Sequence, residues 1–247
     1  MQEKQYDFPT EVIDLPSQGL CYPEGHPLAS GKITLKYMTA KEEDILTNQN
    51  YLAKGIVVDK LLQSMVVTKF SYNDLLLGDK NAILVAARVL GYGKDYEFEY
   101  GGEKHTVDLS LVGNKEVDES LFKDRTNEFE YELPATGVKL TFKFLTHGDD
   151  LKITQELEGL RKIKKGETFD ISTRMKHMIT SVNGDTTDST IRSFVDNAFL
   201  ARDARDFRKY ADSIQPDVDL RFYPDGGPEG GVDIPIGINF LWPDARV

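Results

Sequence analysis

A single cysteine, Cys21, rules out a disulfide within this chain, which fits a reducing compartment. Long apolar runs are missing as well. No stretch of about 18 apolar residues occurs, the length a membrane-crossing helix needs. Residues 1–16 contain no apolar segment of the kind a signal peptide uses, so the chain is expected to be cytosolic when made. Positive charge is scarce, with 30 Lys and Arg against 41 Asp and Glu for a formal net charge of −11. Such a field repels phosphate. Nucleic acid and anionic membranes are therefore expected to be poor partners, and other proteins, basic ones included, better ones.

Recognisable catalytic patterns are equally scarce. The four histidines, His26, His105, His147 and His177, fall in four different elements and never at the i, i+4 spacing of a helical zinc site. Gly25 and Gly31-Lys32 are separated by five residues and followed by Ile33, where a phosphate-binding loop has four residues and a Ser or Thr. Cys21 and His26 supply two zinc ligands at most. No catalytic residue, metal or cofactor is expected on these grounds. A hydrolase using His177 or His105 is the competing class.

What is present is repetition. Residues 32–39 (KITLKYMT) and 139–146 (KLTFKFLT) are two copies of one strand and its exit turn, and an acidic helix start follows each, Glu42-Glu43 in one and Asp149-Asp150 in the other. Downstream, 101–111 (GGEKHTVDLSL) matches 226–236 (GGPEGGVDIPI) without a gap. Strand alternation alone does not require the shared Lys, Thr and Gly-Gly positions, so two matches in one order argue for duplication. Thr39 with Glu42 has the spacing of a capping box, and Thr146 with Asp149 repeats it. These carboxylates are expected to serve the orphan amides at helix starts rather than acid–base chemistry.

The expected architecture is α+β, with two pseudo-repeated lobes that each combine short antiparallel strands and a hairpin with a small helical bundle. Residues 1–31, with Pro9, Pro16, Pro23 and Pro27 and three glycines from residue 8 onwards, are expected to form an extended strap. Residues 32–124 form the first lobe and 125–247 the second. Helices are expected over 40–50, 56–66, 79–90, 149–164, 169–182 and 189–214. Strands are expected over 32–38, 96–100, 105–111, 126–133, 138–145, 218–223 and 232–240, with Phe98 opposite Val107 and Phe222 opposite Val232. The Gly-rich hairpins have the shape of zinc knuckles but lack their Cys-x-x-Cys, so no metal is expected there. Edge strands of this kind are also a general route to protein assembly. Phe240, Leu241 and Trp242 are expected to dock, on this chain or a partner, since they would otherwise leave an apolar patch in water.

Several short motifs, in order, resemble one family. Leu15-Pro16-Ser17-Gln18-Gly19 with Tyr22, Gly31-Lys32-Ile33, and Met38 through Asp44 are followed by Asp79, Arg88 and Gly91-Tyr92-Gly93. Arg202-Asp203-Ala204-Arg205, Pro216-Asp217-Val218-Asp219, Ile234 through Gly237 and Phe240-Leu241-Trp242-Pro243-Asp244 complete the series. Together they resemble the baseplate hub assembly proteins of T-even-type contractile-tailed bacteriophages. The resemblance implies a protein without catalytic activity that acts in building the tail baseplate hub, with hub or tape-measure proteins as partners. It would work in the host cytoplasm as an assembly chaperone, or remain in the virion baseplate as a subunit. Leu15, Pro16, Tyr22, Phe240, Leu241 and Trp242 are the candidate partner-binding residues. Many members of the family it resembles carry Cys-x-x-Cys at both hairpins, and this chain carries none.

Overall fold

The computed structural model describes residues 8–163, 168–224, 230–236 and 238–243. Alternation of Ile33 and Leu35 with Lys32, Thr34 and Lys36 makes a strand with one apolar face, β2 (Lys32–Lys36). Its antiparallel partner is β1 (Thr10–Asp14), with Ile13 opposite Ile33. The stretch read as a strap thus contributes a strand to the first lobe's sheet. Thr39 then opens α1 (Ala40–Leu46) with a complete capping box. The helix expected to reach residue 50 stops early, because the Asn48 side chain accepts from the Asn50 and Tyr51 amides and starts α2 (Gln49–Ala53).

Helix α3 (Val57–Met65) buries Val57, Leu61, Leu62 and Met65 along one stripe, and Val66 at its end bridges to Leu35 of β2. Helix α4 (Leu77–Tyr92) is buried on most of its circumference. Arg88 joins its end to the next element by donating to the Gly93 and Asp95 carbonyls at 2.6 and 2.8 Å. There β3 (Asp95–Tyr100) and β4 (Glu103–Asp108) form a hairpin. Gly101 and Gly102 both have positive φ, so they make a two-residue turn that sets Tyr100 opposite Glu103. That register places Phe98 opposite His105 and Tyr96 opposite Val107, a two-residue shift from the expected Phe98–Val107 pair.

The second lobe runs through β5 (Phe129–Glu132), β6 (Lys139–Phe142), α5 (His147–Ile163), α6 (Asp170–Met178), β7 (Ile179–Val182), α7 (Asp188–Asn197) and α8 (Ala201–Ile214). It ends with β8 (Arg221–Phe222), β9 (Val232–Asp233) and α9 (Ile238–Leu241). Three expectations are corrected here. The helix expected over 169–182 gives way at Ile179, where the β-branched run Ile179-Thr180 leads into a strand paired with β6. The helix expected over 189–214 is two helices, since Ala198 to Leu200 leave helical geometry. The strand expected over 232–240 is the short β9 followed by α9, while Phe222 does lie opposite Val232.

The two lobes repeat each other pair by pair. Ile13–Ile33 and Glu11–Leu35 in one correspond to Tyr131–Leu140 and Phe129–Phe142 in the other. The Leu35–Val66 bridge corresponds to the Phe142–Ile179 pair. In the hairpins, Leu109 N–H donates to the Lys94 carbonyl as Ile234 N–H donates to that of Leu220. Gly102 closes the first hairpin, and its expected counterpart Gly227 lies outside the described residues. The fold is α+β. One large apolar cluster runs from Leu15 to Leu241 through both lobes, so they share a core, and a smaller cluster gathers Leu145, Ile153 and Leu157. The C-terminal segment crosses over: Phe240 packs edge-on against Tyr96 of the first lobe at 4.9 Å, and the Tyr96 hydroxyl donates to the Pro235 carbonyl.

Candidate functional site

The loop after β1 is held by a buried carboxylate of α4. Asp79, near the start of α4, is fully buried and accepts from the Ser17 amide at 2.9 Å, the Ser17 hydroxyl at 2.8 Å and the Tyr22 hydroxyl at 2.7 Å. Tyr22 in turn accepts from the Leu76 amide, so strap and helix start are tied together. Burial outweighs these hydrogen bonds and holds the Asp79 carboxyl above the usual carboxylate range. Burial likewise pushes the Tyr22 hydroxyl and the Cys21 thiol up, with the Asp79 charge adding to both. A carboxylate so enclosed positions a loop. It is shut away from any substrate in solution.

The same device occurs in the second lobe, where Asp203 of α8 accepts from the Ala135 amide at 2.9 Å and the Thr136 hydroxyl at 2.7 Å. Leu15-Pro16-Ser17-Gln18-Gly19 and Leu133-Pro134-Ala135-Thr136-Gly137 are therefore copies of one loop, each ending in a positive-φ glycine and each held by an aspartate three residues past a leucine that precedes its helix. Sequence reasoning missed this pair. Its signal was present as Leu-Pro-x-x-Gly, obscured because residues 20–30, which include a 3-10 turn at Pro27–Ser30, have no counterpart in the second copy.

The helix-start residues also recur as matched sets. Lys36 and Thr39 hold Glu42 in the first lobe, and Lys143 and Thr146 hold Asp149 in the second, with ammonium-to-carboxylate distances of 2.7 Å in both. Burial raises each carboxyl, and the lysine and threonine contacts more than offset it, leaving both below the ordinary range. Thr39, Glu42, Thr146 and Asp149 thus sit where capping chemistry needs them. The seam between lobes gathers Asp59, Tyr72, Lys80 and His147. Asp59 pairs with Lys80, and the His147 ring lies edge-on to Tyr72 at 4.7 Å. Burial lowers the His147 pKa against the opposing pull of Asp59.

The expected partner-binding residues are spent largely on this chain. Leu15, Pro16, Tyr22, Phe240 and Leu241 are buried, and Trp242 is half-buried against the same core. Helix α4 and the outer edge of β1 bound a groove of about 450 Å³ lined by Glu11, Ile13, Val85, Ala86, Val89 and Val112 among others. Among the described residues, no group of three or more His, Cys, Asp or Glu is placed to hold a metal ion, and no helix is long and apolar enough to cross a membrane. His177 is bonded to Glu156 at 3.0 Å, and His105 packs on Phe222 at 4.8 Å. No family model, curated protein or solved structure matches the chain.

Proposed function

We propose that this chain is a non-enzymatic protein of contractile-tailed phage that acts in assembly of the tail baseplate hub, as a chaperone for a hub or tape-measure chain in the host cytoplasm. One observation carries the reading. The scattered short motifs that resemble hub assembly proteins form connected frameworks in space. Ser17 and Tyr22 hold Asp79; nine residues on along the same helix, Arg88 holds Gly93 and Asp95. In the second lobe Asp203 holds the matching loop, while Asp217 accepts from the Asn81 side-chain amide across the seam. Several of the residues that resemble a family only through their order are thus also residues that hold the fold together.

The acidic net charge of −11 adds support, since it suits transient contact with basic or aggregation-prone chains. The test is a pull-down from infected cells combined with analysis of purified virions. Recovery of hub or tape-measure proteins with absence from virions is the expected result. Presence in virions at fixed stoichiometry would turn the reading to a permanent hub subunit, and recovery of neither protein would overturn it.

A further inference from the structure

The two lobes differ at one place where their common frame predicts likeness. In the second lobe, Tyr131 of β5 stacks on Tyr210 of α8 at 4.6 Å, and Phe129 packs on Phe142 and Phe144 at 5.5 and 4.4 Å. Strand pairing makes Ile13 the counterpart of Tyr131 and Glu11 that of Phe129. Helix position makes Ala86 the counterpart of Tyr210, each seven residues beyond its loop-holding aspartate. Where one lobe is filled by its own aromatic rings, the other has an aliphatic side chain, a methyl group and a carboxylate around an open groove.

The strand beside that groove is unsatisfied on its outer side. The Tyr37 amide donates to the Pro9 carbonyl and the Leu15 amide to that of Gly31, so the inward-bonded positions of β1 are the odd-numbered ones. Alternation then aims the N–H and C=O groups of Thr10, Val12 and Asp14 away from β2. No strand pairs with that edge among the described residues. Val12 is 58% exposed at its centre.

We propose that this edge and groove form a docking slot for an extended segment of a partner protein. The segment adds to β1 as a strand, sets an aromatic side chain against Ile13 and Ala86, and sets a basic side chain two residues away against Glu11. The geometry dictates that spacing, because residues opposite Ile13 and Glu11 share one face of the sheet. Charge selects the occupant. A second copy pairing antiparallel about Val12 of its own β1 would place Glu11 of each chain opposite Ile13 of the other, bringing acid where the slot is shaped for a ring and joining two chains that each carry a net charge of −11. The inference deepens the assembly reading, and rests on it only for which protein supplies the segment.

The test uses the full chain and a fluorescent nine-residue peptide, Thr-Lys-Thr-Tyr-Thr-Lys-Thr-Lys-Thr, read by anisotropy. Control peptides carry Glu for each Lys, or Gly for Tyr. Saturable binding is expected, weakened about tenfold or more in both controls. Ala86→Tyr, which fills the slot as the second lobe does, and Val12→Pro, which removes an outward N–H unused within the fold, should each weaken it about tenfold or more. Glu11→Lys should shift preference towards the Glu peptide. Circular dichroism checks that each variant folds, and Val12→Pro decides the matter should Ala86→Tyr not. Absence of binding up to about 1 mM peptide, or binding indifferent to Val12→Pro, overturns the proposal. A dimer in sedimentation that Val12→Pro abolishes overturns it in favour of a second copy. Peptide binding and recovery of hub proteins from cells are separate readouts, so failure of the slot is distinguishable from failure of the assembly reading.

Discussion

Replacing Asp79 by alanine should be among the most damaging single changes outside the apolar core. The carboxylate accepts from the Ser17 amide, the Ser17 hydroxyl and the Tyr22 hydroxyl, all buried. A buried donor left unpaired costs about 1–3 kcal/mol. Two of these donors sit on one residue and relax together, and removal of a buried carboxylate recovers part of its desolvation cost, so the net expectation is about 3–5 kcal/mol. Tyr22→Phe should cost about 1–3 kcal/mol, since it also orphans the Leu76 amide. The double variant should fall short of the summed losses by about 1 kcal/mol or more, because both remove one shared bond. Urea unfolding with unchanged m values measures all three. Asp203→Ala should cost less than Asp79→Ala, because its two partners lie on exposed residues where water can replace it. The pH dependence has a defined sign. Asp79 has a raised pKa, so the folded chain holds this proton more tightly than the unfolded one, and stability falls as pH rises from the ordinary carboxylate value through the raised one. Asp79→Asn should remove that falling limb. Equal losses at Asp79 and Asp203, or a loss at Asp79 under about 1 kcal/mol, would refute the reasoning.

Thr39→Ala and Thr146→Ala remove the hydroxyls that contact Glu42 and Asp149 and should each cost about 1 kcal/mol, and near-equality in thermal unfolding would mark the two caps as equivalent. Glu42 and Asp149 have lowered carboxyl pKa values, so the stability they add is present above the unfolded values and lost as pH falls through the folded ones; an acid titration of Tm should show that loss blunted in a Glu42→Gln, Asp149→Asn double variant. Gly78→Ala should disrupt the seam, since a Cβ there would lie 1.9 Å from the Pro216 carbonyl oxygen, whereas Gly159→Ala meets open space and should be neutral or stabilising by up to about 1 kcal/mol in the same urea assay. Phe240→Ala should cost about 3 kcal/mol or more, because that ring is fully buried against Tyr96; a neutral result would show the tail to be dispensable.

The strand–cap units were legible because their chemistry is local. A strand with alternating apolar residues, a Thr and an acid three positions on dictate the same hydrogen bonds wherever they occur, so Lys36-Thr39-Glu42 and Lys143-Thr146-Asp149 could be paired by eye. The aspartate locks were not legible, because each bond spans more than fifty residues and alignment breaks at the loop between Leu20 and Ser30. Segment 169–182 looked helical because Met175, Met178 and Ile179 fit a 3.6-residue period; only pairing with β6 makes its end a strand. Nor does the sequence reveal that Leu15 and Tyr22 face inwards. An apolar residue in a Pro-rich stretch suits a partner's surface as well as its own core, and Asp79 decides between them.

The open groove also has a cause within the fold. Helix α8 exposes Arg202, Arg205, Arg208 and Lys209 and needs Tyr131 on Tyr210 to extend its narrow buried face. Helix α4 is buried from several sides already: α9 packs on it, Pro216 closes on Gly78, and Asn81 bonds Asp217. On its groove side Val85 belongs to the core while Ala86 is only half-buried, so room for a larger side chain is expected at Ala86 alone. This leads to a last expectation. Ala86→Tyr, placing in the first lobe the ring that the second already carries, should change stability by no more than about 1 kcal/mol in either direction, whereas a large residue forced into a packed core typically costs about 1–3 kcal/mol. Urea unfolding of Ala86→Tyr beside Ala87→Tyr, whose parent residue is fully buried on the adjoining face, separates the two cases. If both variants lose stability alike, the groove belongs to the core and is not a place left open for another chain.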